Sequence, residues 1–122
     1  MTAAEILIQT ALLGEAVDSG PALVFVADEE MRYIAVNEFA AEALGYTRDE
    51  LLELRVSEVA RERVSPEQYD EMLLHGFQHG TSILTCKDGT AVEFHYRATK
   101  TRVAGLHLFV SVGFLAEAGG NG

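Results

Sequence analysis

The stretch "RYIAVNEFAAEALGYTRDELLEL", residues 32–54, decides the fold, because strand chemistry gives way to helix chemistry within a few positions. An alternating apolar run ends at Asn37, whose side-chain oxygen is placed to accept an orphan amide of a helix starting at Glu38. Gly45 stops that helix, since glycine takes the left-handed cap conformation without strain. Thr47 and Glu50 then form a T-x-x-E capping box ahead of Leu51 and Leu52. The stretch sets no nucleophile beside a base and holds neither a glycine cradle for phosphate nor a pair of metal ligands. Asn37 and Gly45 therefore read as geometry: they turn the chain off a strand and onto a helix.

Capping chemistry marks two further helix starts. Thr2 and Glu5 precede the apolar residues 6–13, and Ser65-Pro66-Glu67-Gln68 combines a capping serine with proline at the first helical position. Strand signals fill most of the remainder. Residues 22–28, "ALVFVAD", are followed by an acidic turn at Glu29-Glu30 and a second run over residues 32–36. Asp88-Gly89 separates two longer runs and predicts a hairpin. In the run after it, Val92, Phe94, Tyr96 and Ala98 share one face, while Glu93, His95 and Arg97 share the other. Leu106, Leu108, Val110 and Val112 continue the apolar alternation in the last strand. The predicted order is one helix, two strands, three short helices and three strands. That order describes an α+β domain with an antiparallel sheet, the inserted helices on one face and the first helix free for the other.

Composition is consistent with that reading. A chain of 122 residues, 48% of them hydrophobic, suits one compact domain with a real core. A net charge of −10 excludes a nonspecific grip on nucleic acid or on an anionic membrane, because neither polyanion gains from an acidic protein. The acidic cluster Asp28-Glu29-Glu30 reads as solvated surface. The lone cysteine, Cys86, has no partner for an internal disulfide and reads as structural. No apolar run reaches the length of a membrane span, and the N-terminus lacks the basic start and cleavage site of a signal peptide, so the expectation is a cytoplasmic protein.

With this order the chain resembles the PAS domains, sensory modules of kinases, cyclases and transcription regulators. The resemblance rests on residues 21–54, on the "CKDGT" hairpin and on the last two alternating strands. Asn37, Gly45, Tyr46, Thr47, Glu50 and Leu51 match the family's run of Asn, small-residue helix and "G-Y/W-[ST]-x-x-E-L". It implies a five-stranded antiparallel sheet in the order 2-1-5-4-3, with helices enclosing a pocket on its inner face. Residues 1–20 would be an N-terminal capping and dimerisation helix, residues 21–117 the PAS domain, and residues 118–122 a flexible tail. The function implied is a noncatalytic sensory module that binds a small ligand, mediates protein–protein contact, or both. The alternative is a ligand-free homodimerisation or interaction domain of a kinase or transcription regulator.

Strand parity and helix spacing nominate the pocket residues. Phe25, Ala27, Phe94, Tyr96, Ala98, Leu108 and Val110 should face the helices from the sheet. Tyr69, Met72 and Leu73 fall at i, i+3, i+4 after the Ser65 cap and should face them from above. The same set also describes a filled core; the two tyrosines favour a ligand, since a buried phenol needs a hydrogen-bond partner. No carboxylate or histidine falls on these positions, so no catalytic residue is expected. His95 and His107 read as outer-face residues of neighbouring strands, without the further ligands a metal site needs. Haem-binding members carry a histidine where this chain has Tyr69, with His75 further along. The flavin-binding members' N-C-R-F-L-Q-like segment has no counterpart in "VSEVARERVS", so neither haem nor flavin is expected. The last residues of the domain, Phe114-Leu115-Ala116-Glu117, depart from the family's "D-[IL]-[TS]-E" link to an output helix. Finally, Ile6, Leu7, Ile8, Ala11, Leu12 and Leu13 spread apolar surface around more of the first helix than one contact needs. One side can cover the outer sheet face near Val24, Val26 and Phe109, and the other predicts a homodimer, unless the helix tucks fully into its own domain.

Overall fold

The computed structural model describes residues 2–61 and 76–116. Chain order is α1 (Ala3–Asp18), β1 (Leu23–Ala27), β2 (Tyr33–Val36), α2 (Glu38–Leu44), α3 (Arg48–Leu51), α4 (Val56–Val59), β3 (Ala60–Arg61), β4 (Phe77–Thr85), β5 (Ala91–Val103) and β6 (Leu106–Leu115). The cap residues act as their chemistry dictates. Thr2 Oγ1 accepts from the Glu5 amide at 3.1 Å, and Thr47 and Glu50 close a reciprocal capping box. Gly45 ends α2 in the left-handed region, at φ 79°. The helix predicted after Ser65 lies outside the described residues.

The strands form one antiparallel sheet in the order β2-β1-β6-β5-β4-β3. It has six strands where five were expected. The extra one, β3, is two residues long, pairing Ala60 with Leu84 and Arg61 with Ile83 at the sheet edge. Two residues carry no alternation, so the sequence gives no strand signal there. With β3 set aside, the remaining order is the expected one. β4 begins at Phe77, ahead of Gly80, which interrupts its apolar pattern. The hairpin forms at Asp88-Gly89, where Asp88 Oδ1 accepts from the Thr90 amide at 2.9 Å.

The core lies between one sheet face and the inserted helices. Leu23, Phe25, Phe94 and Tyr96 from the sheet meet Ala40, Ala41, Leu44, Leu51 and Val59 from the helices, all of them buried. A side chain such as Leu44 or Leu51, fully withdrawn from water, contributes about 1.5–3 kcal/mol. The alanines on α2 let that helix approach the sheet closely, and α2 contacts β1 directly.

Asn37 ties these parts together, and it is buried at 7% exposure. Its Oδ1 accepts from the amides of Val24 (3.0 Å) and Ala40 (3.1 Å). Its Nδ2 donates to the carbonyls of Val17 (2.9 Å) and Ala22 (2.8 Å). One side chain thus joins the end of α1, the start of β1 and the first turn of α2. Asp18 reinforces the junction by accepting from the Glu38 amide at 2.9 Å and from the Arg48 guanidinium. Arg48, followed by that backbone amide, holds the Asp18 carboxyl below its ordinary range. On the other side, Lys87 at the hairpin donates to Glu50 at 2.6 Å, and its backbone amide donates to the Leu44 carbonyl at 2.9 Å.

Asn37→Ala removes the α2 cap and leaves buried amides and carbonyls unpaired. It should lower the unfolding free energy by about 3 kcal/mol or more in a urea titration. Asn37→Asp keeps the cap but turns an oxygen toward the Val17 and Ala22 carbonyls, so it should fail to restore stability. Wild-type stability in Asn37→Asp would show that the two donor bonds contribute nothing.

Candidate ligand cavity

A cavity of about 330 Å³ opens on the inner face of the sheet. β1 contributes Phe25 and Ala27, β4 Gln78 and Leu84, β5 Phe94, Tyr96 and Ala98, and β6 Phe109 and Ser111; Met31, Tyr33, Val56 and Ala60 close the near side. Small side chains make the space. Ala98 on β5 stands level with Gln78 on β4 and Ser111 on β6, and Ser111 with Phe25 on β1, so one row crosses four strands. In the next row Tyr96 stands level with Gly80 and Gly113. A methyl group at Gly113 would collide with the His95 carbonyl and the Tyr96 Cα, so only glycine lets β5 and β6 lie together there.

The acidic turn between β1 and β2 fixes the near wall. Asp28 Oδ1 accepts from the amides of Glu30 (2.9 Å) and Arg32 (3.0 Å), which lowers its pKa, chiefly through the Arg32 amide. The turn leaves Met31 in the left-handed region, at φ 62°. The Met31 carbonyl accepts from the Val56 amide at 2.8 Å, and the Tyr33 amide donates to the Leu54 carbonyl at 3.2 Å. Asp28 is therefore more than solvated surface: it shapes the turn that carries Met31 to the cavity.

Of the nominated pocket residues, Phe25, Ala27, Phe94, Tyr96 and Ala98 lie on the cavity wall. Tyr69, Met72 and Leu73 lie outside the described residues. Leu108 and Val110 do not face the cavity. Val110 pairs with Val26 and Thr99, and Leu108 with Thr101, all on the opposite face of the sheet. The physical reason is that the more apolar parity of β6 is turned away from the helices, while the mixed parity of Phe109, Ser111, Gly113 and Leu115 faces them. The same register moves Phe109 to the inner face, away from Val24 and Val26. It also separates the two histidines. His95 is on the outer face opposite Thr81, whereas His107 shares the parity of Phe109 and lies 3.9 Å from Glu29.

Sequence reasoning misses Gln78, because Gly80 interrupts the apolar pattern of β4, and Phe109 and Ser111, because the more hydrophobic parity of β6 is the other one. Met31, Val56 and Ala60 lie in turns and short elements that carry no periodic signal. A register anchored on Gly113, the residue that must oppose a β5 backbone, is the signal that fixes β6.

The cavity wall is apolar, with aromatic rings in edge and offset contact. Phe25 meets Phe94 edge-on at 5.5 Å between centroids, and Phe94 stacks on Tyr96 at 5.5 Å. Among the described residues no Asp, Glu, Lys, Arg or His lines it. Its polar atoms are those of Gln78, Tyr96, Tyr33 and Ser111, and Gln78 Nε2 donates to Tyr96 Oη at 3.3 Å. No group of His, Cys, Asp and Glu able to hold a metal forms among the described residues. Cys86 is buried beside the hairpin. The described walls, apolar with a few uncharged polar atoms, can bind and orient an apolar molecule.

On α1, the side chains of Ile6, Leu7, Ile8, Ala11 and Leu13 lie outside the described residues, while Leu12 is 58% exposed. No helix among the described residues is long and apolar enough to cross a membrane.

A family model described as PAS fold matches residues 17–110. Among solved structures, the chain is similar to the PAS domain of an HTR-like protein from Haloarcula marismortui, with 15% identity and a TM-score of 0.75, covering 93% of this chain and 96% of that one. It is similar to a PAS domain from a two-component sensor histidine kinase, with 9% identity and a TM-score of 0.75, over 90% and 98% of the two chains. A light-oxygen-voltage domain described with a flavin analogue is 14% identical, with a TM-score of 0.64, over 87% and 85%. At these identities the structural likeness carries the fold alone. A comparison with curated protein sequences gives no match.

Proposed function

The chain belongs to the PAS-fold family, and we propose that it is a noncatalytic sensory module that binds a small ligand in the cavity on its inner sheet face. PAS domains are sensory signalling modules of kinases and other regulators. The observation that carries the ligand reading is the space of about 330 Å³ lined by Ala27, Ala98 and the aromatic rings of the inner face. A cavity of this size falls at the lower end of the ~300–1,000 Å³ range of ligand sites. The absence of acids, bases and metal ligands from the described wall supports binding over catalysis. Flavin is not the ligand we propose, despite the likeness to a light-oxygen-voltage domain, because "VSEVARERVS" carries no cysteine segment. Nor is haem, since the sequence has Tyr69 where haem-binding members carry a histidine. We place the protein in the cytoplasm, whose reducing conditions fit its lone cysteine, and without contact to nucleic acid or an anionic membrane, on the strength of its charge of −10.

A second observation favours self-association. The outer face carries Val24, Val26, Leu108, Val110 and Val112, with Phe114 56% exposed at its end. α1 exposes Leu12, and the sequence adds Ile6, Leu7, Ile8 and Leu13 on the same helix. A homodimer through α1 and this face would withdraw both from water. Were the cavity closed by packing, this surface alone would make the protein a dimerisation domain of a kinase or transcription regulator.

Ala98→Leu separates the readings. In a packed core the added volume costs about 1–3 kcal/mol through overpacking; in the cavity the change should be neutral or stabilising in a denaturant titration. A clear loss of stability would favour the closed core. Deleting residues 1–16 leaves Val17 and Asp18 at the Asn37 junction and removes most of α1. Light scattering should find a dimer for the full chain at micromolar concentration and a monomer after the deletion. A monomeric full chain, or a truncated chain that still dimerises equally well, would contradict the α1 interface.

A further inference from the structure

The chemistry of the wall narrows the ligand, an inference that rests on the pocket reading above. We propose that the cavity takes an uncharged molecule of one or two rings with a single hydrogen-bonding end, an aromatic alcohol or amide, whose polar group seats over Ala98 between Gln78, Tyr96 and Ser111.

Charge decides the first part. No Asp, Glu, Lys, Arg or His lines the cavity among the described residues, so these walls give a carboxylate, phosphate or ammonium group no counter-ion for the hydration it loses. The net charge of −10 disfavours anions further at the approach.

Placement of the polar atoms decides the second. Gln78 and Ser111 flank Ala98 in one cross-strand row, so their backbones stand two strand spacings, ~10 Å, apart. Ala98 contributes only a methyl between them, and Tyr96 is the next inward residue along β5. A hydroxyl or amide resting on that methyl lies within reach from both sides. Gln78 is 7% exposed, and its side chain makes one hydrogen bond among the described residues, from Nε2 to Tyr96 Oη at 3.3 Å. A primary amide carries two N–H donors and a carbonyl acceptor. One donor and the carbonyl of a nearly buried side chain are thus left for a partner, and water or a ligand in the cavity supplies it.

The other end is aromatic. Phe25 and Phe94 meet edge-on, and Phe25 and Tyr33 are tilted at 5.6 Å, an arrangement that offers ring faces and edges to a planar guest. The volume of about 330 Å³ accommodates one or two fused rings but not a long chain.

Three matched probes test this on the full chain at pH 7: 2-naphthol, naphthalene and 2-naphthoate, each titrated while backbone amide resonances are followed. The expected result is that 2-naphthol shifts the amides of Gln78, Ala98 and Ser111 and binds at least tenfold tighter than 2-naphthoate and severalfold tighter than naphthalene. Gln78→Leu should bring 2-naphthol to the level of naphthalene without weakening naphthalene. Tyr96→Phe, which keeps the ring packing, should reduce the same preference. Equal or tighter binding of 2-naphthoate overturns the uncharged class. Unchanged preference in both variants overturns the polar seat. Failure of all three probes overturns the ligand class, whereas destabilisation by Ala98→Leu overturns the pocket reading itself.

Discussion

The amide of Asn37 uses every hydrogen-bonding position it has: two backbone amides donate to its oxygen, and its nitrogen donates to two backbone carbonyls. Segments that would otherwise end in unpaired buried groups are joined through one side chain. The position of α2 over the sheet depends on that junction, and α3 and α4 follow on without a long loop. Since its capacity is filled by backbone, Asn37 has nothing left to offer a ligand, and its role is to hold the frame. Asp18 and Arg48 carry the same junction outward to α3, and Lys87 with Glu50 ties the far hairpin to it. Being partly exposed, these ion pairs contribute less than the buried amide.

A frame so fixed leaves the interior to side-chain size. Across the inner face large rings alternate with Ala27, Ala98, Ser111 and Gly113, and the helices cannot sink to fill the space because β1, β2 and α4 are fastened by backbone hydrogen bonds around Met31. The cavity is thus a consequence of rigid borders and small residues in one cross-strand row. Its polar atoms cluster where that row is lowest.

The fold was legible in the sequence because its signals are local. Asn37, Gly45 and Thr47 cap or stop helices through groups a few residues away, and Asp88-Gly89 shapes its own turn. The site was legible only where strand parity agreed with hydrophobicity, as on β1 and β5. On β6 the two disagree: Leu108, Val110 and Val112 are the better core residues by composition, yet the sheet turns them outward. Register there is set by a long-range steric fact, the approach of the β5 backbone to Gly113, which no local pattern encodes. β3 escaped notice for another reason: two residues pair at an edge without any periodicity of their own.

The central claim is that an apolar space persists on the inner sheet face beside the frame that Asn37 holds. Xenon enters dry apolar cavities without needing a hydrogen bond, so amide and methyl spectra of the full chain under xenon pressure test it directly. The account predicts saturable shifts confined to residues around the space, at Ala27, Phe94 and Ala98. Shifts at Val110 and Phe114 alone, or none that saturate, would show that the inner face is packed and would contradict it.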